Sequence, residues 1–463
     1  MARGKKNGTA LTMEERLAEA LVPEEEQPYR VPDNWCWVRV GCLASLHRGV
    51  SYKKYDAHTE KSENDCLILR GGNISEGDIN TESDNVYVDK SLVSVDQFVC
   101  TYDIIIVSST GSSKVIGRAG ISTSDYYDVA FGAFLTLVRP IDCISKPFVA
   151  YYFQSDLYRS RIRSLASGVN INNIRTEYIT RSPIPFPPLA EQQRIVDRIE
   201  SLFAKLDEAK EKAQSVLDSF ETRKAAILHK AFTGELTVKW REKSDITKDS
   251  WSERTLESVC KSIFDGDHMP PPKADSGIHF LVISNVNTGY LSFNNTRFVP
   301  KEYYDSLSDT RKPEKGDVLY TLVGSFGIPV IVNSDTPFCF QRHMALLKPS
   351  SIDTTFLWYL LQSQEMYQKA AAIAKGVAQL TVPIKGLRQM KFLCPTAKEQ
   401  HEIVRLLDQL LIQEREAMEA AETVLEQIDL IKKAILARAF RGELGTNDPN
   451  EESAVELLKS VLA

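Results

Sequence analysis

The 463-residue chain has eight cysteines, at positions 36, 42, 66, 100, 143, 260, 339 and 394, with no CxxC pair and no close Cys/His cluster. Such spacing suggests neither a zinc site nor a disulfide framework, and the cysteines read as small core residues. No stretch approaches the roughly 18 to 20 unbroken apolar residues of a membrane span. The polar start MARGKKNGTA also lacks the apolar core of a signal peptide, so a cytoplasmic protein without membrane contact is expected. A GxxxxGK[ST] loop is missing, which places ATP-driven work elsewhere. Positive charge is in short supply: 56 Lys and Arg against 62 Asp and Glu leave a net charge of −6. That balance argues against an all-over basic nucleic-acid binder and leaves room for a local basic face.

What the chain does have is a repeat of itself. The segment KAAILHKAFTGEL ending at Leu236 returns as KKAILARAFRGEL ending at Leu444, and Glu399 follows Glu191 by the same 208 positions. A tandem duplication makes each half one domain-sized unit joined to one long helix, and implies an internal two-fold relation. A protein built this way reads something that itself comes in two halves.

A polar lead occupies residues 1–31, with a capping-box pattern at Thr12 and Glu15 ahead of a short helix. From Trp35 to about Pro140 the chain turns to short β-rich runs, LILRGGNI, NVYVDKSLV, YDIIIVSST and AFLTLVRP, punctuated by Gly, Asp, Asn and Ser. A helical pattern covers 146–166, and Ser182–Pro188 (SPIPFPP) stiffens the approach to the long helix. The second half keeps this order, with strands in HFLVISNV, TRFVP, DVLYTLVGS and HMALLKP and a helix over 356–373.

The repeated helices carry the clearest period. Ile199, Leu202, Leu206, Ala209, Ala213, Val216, Phe220 and Ile227 step by threes and fours with one gap of seven, and Leu407, Leu410, Ala417, Ala421, Val424, Ile428, Ile431 and Ile435 are the matching stripe, again with one gap of seven. The simplest partner for each stripe is the other copy, laid antiparallel. About 40 helical residues at ~1.5 Å each span roughly 60 Å, so the pair is expected to act as a ruler between the two globular domains. The competing reading is a coiled coil that only joins this chain to another protein.

These residues carry a resemblance. WCWVRVG at 35–41, GVNINNI at 168–174, IPFPPLAEQQRIVDRI, KAAILHKAFTGEL and the second copy of the helical segments are similar to the DNA specificity subunit of type I restriction-modification enzymes. The resemblance covers essentially the whole chain. It implies an α+β protein in which two β-rich target recognition domains alternate with two long conserved helices packed as an antiparallel coiled coil. The divisions are then 1–31 extension, 32–187 first recognition domain, 188–236 spacer helix, 237–250 linker, 251–394 second recognition domain, 395–444 second spacer helix and 445–463 tail. Each domain reads one half of a bipartite, gapped target in double-stranded DNA. Two methyltransferase (modification) subunits and the restriction/translocase subunits are the implied partners. S-adenosylmethionine, ATP and Mg belong to those partners, with no cofactor in this chain.

The chemistry agrees with a non-catalytic reading. An adenine methyltransferase needs a glycine-rich cofactor loop and an Asn- or Asp-Pro-Pro-aromatic motif for the flipped base, and Phe186-Pro187-Pro188-Leu189 has neither polar head nor aromatic lid. Glu208-Ala209-Lys210 has a nuclease-like spelling but lies on the spacer helix, where a solvated face is the simpler account. No catalytic and no metal-binding residue is therefore named. A fused methyltransferase or nuclease lacks its motifs. A coiled-coil scaffold with protein- or peptide-binding terminal domains is the alternative function.

DNA contact needs cations for phosphates and side chains that meet base edges. In the first domain Arg48, Tyr52, Lys53 and Lys54 form the strongest segment, RGVSYKK, which also resembles part of one class of the family's domains. Ser109, Ser112 and Lys114 in SSTGSSK suit phosphate oxygens, Arg70 beside Gly71 and Gly72 suits a guanine edge, and Asn73, which aligns with Asn285 of the second half, is a further DNA-contact candidate. Arg159, Arg161 and Arg163 alternate on a helix and read as structural or backbone-contacting. In the second domain the candidates are His268 and Lys273 around DGDHMPPPK, Gln341, Arg342 and His343 in a turn, and Asn285 and Asn287. The two asparagines either read adenine or cap a turn. Asp265, Asp267 and His268 lack the further ligand a metal site needs.

Overall fold

The computed structural model describes residues 11–166, 173–266, 270–377 and 379–463. Helix α1 (Met13–Ala20) opens on the capping box formed by Thr12 and Glu15. Strands β1 (Cys36–Arg39), β2 (Ala44–Arg48), β3 (Asp65–Leu69), β4 (Tyr87–Asp89), β5 (Ile104–Val107), β6 (Ala119–Ile121), β7 (Val129–Phe131) and β8 (Leu135–Pro140) follow. Helices α2 (Lys146–Gln154), α3 (Asp156–Ala166) and α4 (Thr176–Thr180) lead to strand β9 (Pro183–Phe186). The first repeated segment forms α5 (Leu189–Asp218) and α6 (Phe220–Phe232), and α7 (Val238–Ser244) precedes the second half.

That half contains β10 (Ser252–Thr255), α8 (Leu256–Val259), β11 (Cys260–Asp265), β12 (Ile278–Leu281), β13 (Arg297–Val299) and α9 (Lys301–Ser306). Then come β14 (Val318–Thr321), β15 (Pro329–Ile331), β16 (Phe338–Phe340) and β17 (Met344–Pro349). Helices α10 (Thr354–Gln362), α11 (Gln364–Ile373) and α12 (Ile384–Arg388) lead to β18 (Lys391–Cys394), α13 (Ala397–Phe440) and α14 (Ala454–Leu462).

Among the described residues both halves build the same three sheets. The first has the orders β2-β8-β5-β6, β4-β3-β7 and β1-β9, and the second has β11-β17-β14-β15, β13-β12-β16 and β10-β18. Even the parallel strand pairing recurs, β3 with β7 and β12 with β16. The proline-rich SPIPFPP segment is thus a strand and not merely a stiff lead. Pro183 and Pro185 are tolerated because β9 pairs on one side only, with β1.

The chain divides into two compact units, Met1–Lys212 with Val424–Ala463, and Ala213–Thr423. In the first, Ile195 and Ile199 of α5 and Leu436 and Phe440 of α13 join the core that also holds Val38, Ile104, Phe148 and Tyr152. Phe440 lies 5.2 Å from the Phe148 ring, and Lys432 lies over Phe203 while its Nζ donates to Asp207 at 2.5 Å. Helix α14 packs its apolar face against α1 in the same core, and Arg16 donates to the Leu462 carbonyl at 2.6 Å. In the second unit Leu228 and Phe232 of α6 and Ile403 and Leu407 of α13 share a core with Ile263, Tyr320 and Phe356. There Arg223 donates to Glu414 at 2.6 Å. Within each unit the two helical stretches run antiparallel, since later residues of one meet earlier residues of the other.

Three features depart from the expectations of the sequence. On α13 the inward row is Leu407, Leu411, Glu414, Met418, Ala421, Leu425, Ile428, Lys432 and Ile435, whereas Ala417, Val424 and Ile431 are exposed and Leu410 sits at the margin. Two polar residues with apolar stems belong to the row, so an apolar-only count slipped by one position at alternate steps. The first copy is also interrupted at Ser219, whose hydroxyl donates to the Ser215 carbonyl, while Arg223 donates to the Val216 carbonyl at 3.2 Å. A serine bonding back to a carbonyl one turn earlier bends helices. Gln427 occupies the matching place in α13, which stays continuous. Finally, Cys100 and Cys143 are exposed rather than core residues.

Among the described residues no cluster of three or more His, Cys, Asp or Glu side chains is placed to hold a metal ion. No described helix is long and apolar enough to cross a membrane.

Candidate nucleic-acid interface

In the four-stranded sheet of the first domain, β2 and β5 both run antiparallel to β8, so the ends of β2 and β5 and the start of β8 lie at one edge. Three loops leave that edge, and backbone hydrogen bonds tie them together. Val50 donates to the Phe131 carbonyl at 2.7 Å, Ala133 donates to Val50 at 3.1 Å, and Ser108 and Ser109 both donate to the Phe134 carbonyl at 3.0 Å. The approach at Gly49 is so close that a Cβ there would meet the Gly132 carbonyl oxygen at 2.1 Å. Glycine is required by space.

This frame brings most first-domain candidates to one edge. Arg48 ends β2 opposite Thr136, and Tyr52, Lys53 and Lys54 follow in the next turns. Lys53 and Lys54 are exposed, with the Lys53 ammonium 5.4 Å from the Tyr55 ring. Ser112 and Lys114 are exposed in the loop after β5, and Ser109 is half-buried at a bridge to Asn173. Arg159 is buried and donates to the Ile116 carbonyl at 2.9 Å, so it supports the loop from beneath.

Two candidates are corrected as base readers. Asn73 is 1% exposed; its oxygen accepts from the Arg70 amide at 2.8 Å and its nitrogen donates to the Asn80 and Ser83 carbonyls at 3.1 and 2.9 Å. Asn285, 4% exposed, does the same in the second domain, accepting from Val282 and donating to Asn294, both at 3.0 Å. Each amide is consumed in bracing a turn that also needs a left-handed residue, Asp84 or Asn295. The turn-capping alternative is therefore the one realised. Arg70 is half-buried and engaged by the Asp84 carboxylate and carbonyl, so a guanine edge would have to compete with that ion pair.

The second domain repeats the edge with other side chains. Gly266 approaches Phe340 so closely that a Cβ would sit 2.2 Å from its carbonyl oxygen, and Leu322 donates to the His343 carbonyl at 2.8 Å. Here Asp265 ends the strand that Arg48 ends in the first domain, opposite Ala345. Arg342 and His343 occupy the turn filled by Ala133 and Phe134. A cation, Arg342, stands in the turn that has none in the first domain. Arg342, His343 and Asp265, with Gln379 and Thr381, line a recess of about 340 Å³. Burial, with repulsion from Arg342, lowers the His343 pKa from its ordinary value. Gln341 is half-buried, Lys273 and Asn287 are exposed, and Asn287 lies in the loop after β12, apart from the recess. His268 lies outside the described residues.

Sequence reasoning missed a pair of polar clusters inside the repeated motif. Glu191 and Glu399, both 0% exposed, sit in the first turns of α5 and α13. Glu399 accepts from Thr237 and Arg241 at 2.7 Å and from the Trp251 indole at 2.8 Å. Glu191 accepts from Thr446 at 2.7 Å and from Arg194 at 3.0 Å, and Arg194 also forks onto Glu451 with two bonds of 2.8 Å. The neighbouring Gln192 and Gln400 accept from the backbone amides of Ser145 and Asp353, at 3.0 and 2.9 Å. The recurring Glu-Gln pair in PLAEQ and PTAKEQ was the available signal, because identical polar residues at a helix start imply a shared binding job.

The geometry can be set beside known proteins. The type I restriction modification DNA specificity domain matches twice, over residues 32–217 and 248–427. The EcoKI specificity subunit of Escherichia coli (strain K12) is 29% identical over 459 residues, covering 94% of this chain and 96% of that protein. The StySPI specificity subunit of Salmonella potsdam is also 29% identical, over 425 residues and 90% of each chain. In fold, the HsdS subunit from Thermoanaerobacter tengcongensis superposes with a TM-score of 0.60 at 20% identity, covering 90% of this chain and all of that one. With two matched segments that together span well over half its length, the chain belongs to the type I restriction modification DNA specificity family.

Proposed function

We propose that this chain is the DNA-recognition subunit of a type I restriction-modification complex, each domain reading one half of a gapped duplex target. The observation that carries this reading is the contrast within the repeat: sheets, turns and glycine contacts coincide, while side chains at the loop edge differ in charge and kind. A scaffold with two equivalent terminal domains has no need of that contrast. In this reading Arg48, Tyr52, Lys53, Lys54, Ser112 and Lys114 face one half-site, and Lys273, Gln341, Arg342 and His343 the other. The paired helices set the gap and dock two methyltransferase subunits, which bring S-adenosylmethionine. ATP and Mg act in the restriction subunits, and the assembly works in the cytoplasm.

The test is an exchange of modules. Residues 32–187 are replaced by the matching segment of another family member, and the methylated motif is read by sequencing DNA from cells lacking other adenine methylation. One half-site should change and the other persist. A motif altered in both halves, or in neither, defeats the assignment.

A further inference from the structure

Phe134 is a large apolar side chain left 70% exposed at the head of the turn between β7 and β8. Its backbone is held by hydrogen bonds on both flanks. The carbonyl accepts from the Ser108 and Ser109 amides and from the Ser108 hydroxyl, all at 3.0 Å. On the other flank Ala133 donates to Val50, and Gly132 donates to Leu69 at 2.9 Å. A mobile loop can carry an exposed phenylalanine without consequence, but a ring on a backbone fixed from both sides is presented in one place. The loops that fix it are the ones carrying Lys53 and Lys54 on one side and Lys114 on the other. The loops bonded to its two flanks thus carry the exposed cations Lys53, Lys54 and Lys114, beside an exposed ring that has few rotamers to lose.

We propose that Phe134 is the apolar base-contacting residue of the first recognition domain, its ring displacing water from the bases of one half-site while the flanking lysines hold the phosphates. The inference rests on the DNA-recognition reading and deepens it. Phosphate contacts carry no sequence information, whereas an apolar ring distinguishes a thymine methyl or an easily unstacked step from other bases. In the second domain the same turn offers the His343 ring beside Arg342, a polar solution suited to a different half-site. One frame therefore accepts two kinds of reader.

The test uses the full chain assembled with modification subunits and duplexes carrying its own methylated motif. Phe134→Ser should weaken specific binding about 5- to 100-fold, as for loss of one aromatic–base contact, and make one position of one half-site degenerate. The salt dependence should not change, because no counterion is displaced by an apolar contact. The thermal midpoint should also hold, since the ring buries little, and Phe134→Leu should restore most of the affinity. Wild-type-like affinity and motif in Phe134→Ser, or a weakening that tracks a lowered thermal midpoint, overturns the proposal. If the wild-type complex itself fails to tell its motif from random duplex, the DNA-recognition reading falls and this one with it.

Discussion

Glu191 and Glu399 meet the same physical problem in different ways. Both lie in the first turn of a long helix, where the helix dipole favours negative charge, and both are removed from water. Around Glu399 every donor is itself buried: Thr237, Arg241 and the Trp251 indole. Around Glu191 the arginine is partly exposed and shared with Glu451. Trp35, in the place of Trp251, bonds Asn447 instead at 3.0 Å. In both units the hydroxyl comes from a threonine just past the other repeat's GEL segment. The lesson is that the duplication kept the acceptor and the hydroxyl, and left the charge compensation free to vary.

The sharpest way to break that comparison is to remove the acceptors. Glu399→Ala leaves Arg241 buried and unpaired, and should cost about 3–5 kcal/mol in urea unfolding of the second unit. Glu191→Ala should cost less, roughly 1–3 kcal/mol, because Arg194 keeps Glu451 and reaches water. Equal losses would mean that burial of the carboxylate, and not its partner set, governs both sites.

Next come the two glycines at the loop edge. Gly49→Ala and Gly266→Ala each push a Cβ onto a backbone carbonyl, at 2.1 and 2.2 Å, so each should cost roughly 1–3 kcal/mol and disable reading of its own half-site. Methylation sequencing of the two variants should show damage on opposite halves of the motif. Damage on the same half would contradict the equivalence of the two edges.

A smaller effect separates the loops themselves. Lys53→Ala with Lys54→Ala should flatten the salt dependence of DNA binding by up to ~2 slope units, against up to ~1 for Arg342→Ala, at ~0.9 per phosphate contact. An unchanged slope in the double variant would remove those lysines from the backbone-contacting face.

How far the residues alone revealed this fold depends on what each signal measured. Runs such as YDIIIVSST and DVLYTLVGS became β5 and β14 because four consecutive buried positions leave no other account of their apolarity. The three-residue strands β6, β7, β15 and β16 escaped, being too short for a period to register, whereas the equally short β4 and β13 fall inside longer β-rich runs bounded by turn residues. The helix expected over 146–166 is broken at Ser155, and its counterpart at Ser363; each buried serine faces both ways, a local choice that hydrophobic spacing cannot see. At the candidate site, exposed lysines in glycine-bounded loops were legible from composition. Asn73 and Asn285 were not, since an amide that braces a turn and one that reads adenine look the same until burial is known.

The smallest expected effect concerns pH in the first unit. Burial pushes the Glu191 carboxyl above its ordinary range, with Thr446 and Arg194 pulling it partly back, while the Arg194 hydrogen bonds hold Glu451 below its own. The signs are opposite. A carboxyl whose folded pKa is raised binds its proton more tightly in the native state, so it adds stability as pH falls from neutral through that raised value to the unfolded one. Glu451 contributes stability above its unfolded pKa and loses it as pH falls through the lower folded value. The first unit should therefore firm slightly as pH drops toward the ordinary carboxylate range near ~4.3, then weaken below it. Glu191→Gln keeps an acceptor for Thr446 and Arg194 but cannot take up a proton, so it should abolish the gain and leave the acid-side loss. Unfolding free energies of wild type and Glu191→Gln between neutral pH and the carboxylate range decide it. Parallel curves would show that Glu191 does not titrate there, and that its burial is offset as completely as a paired charge allows.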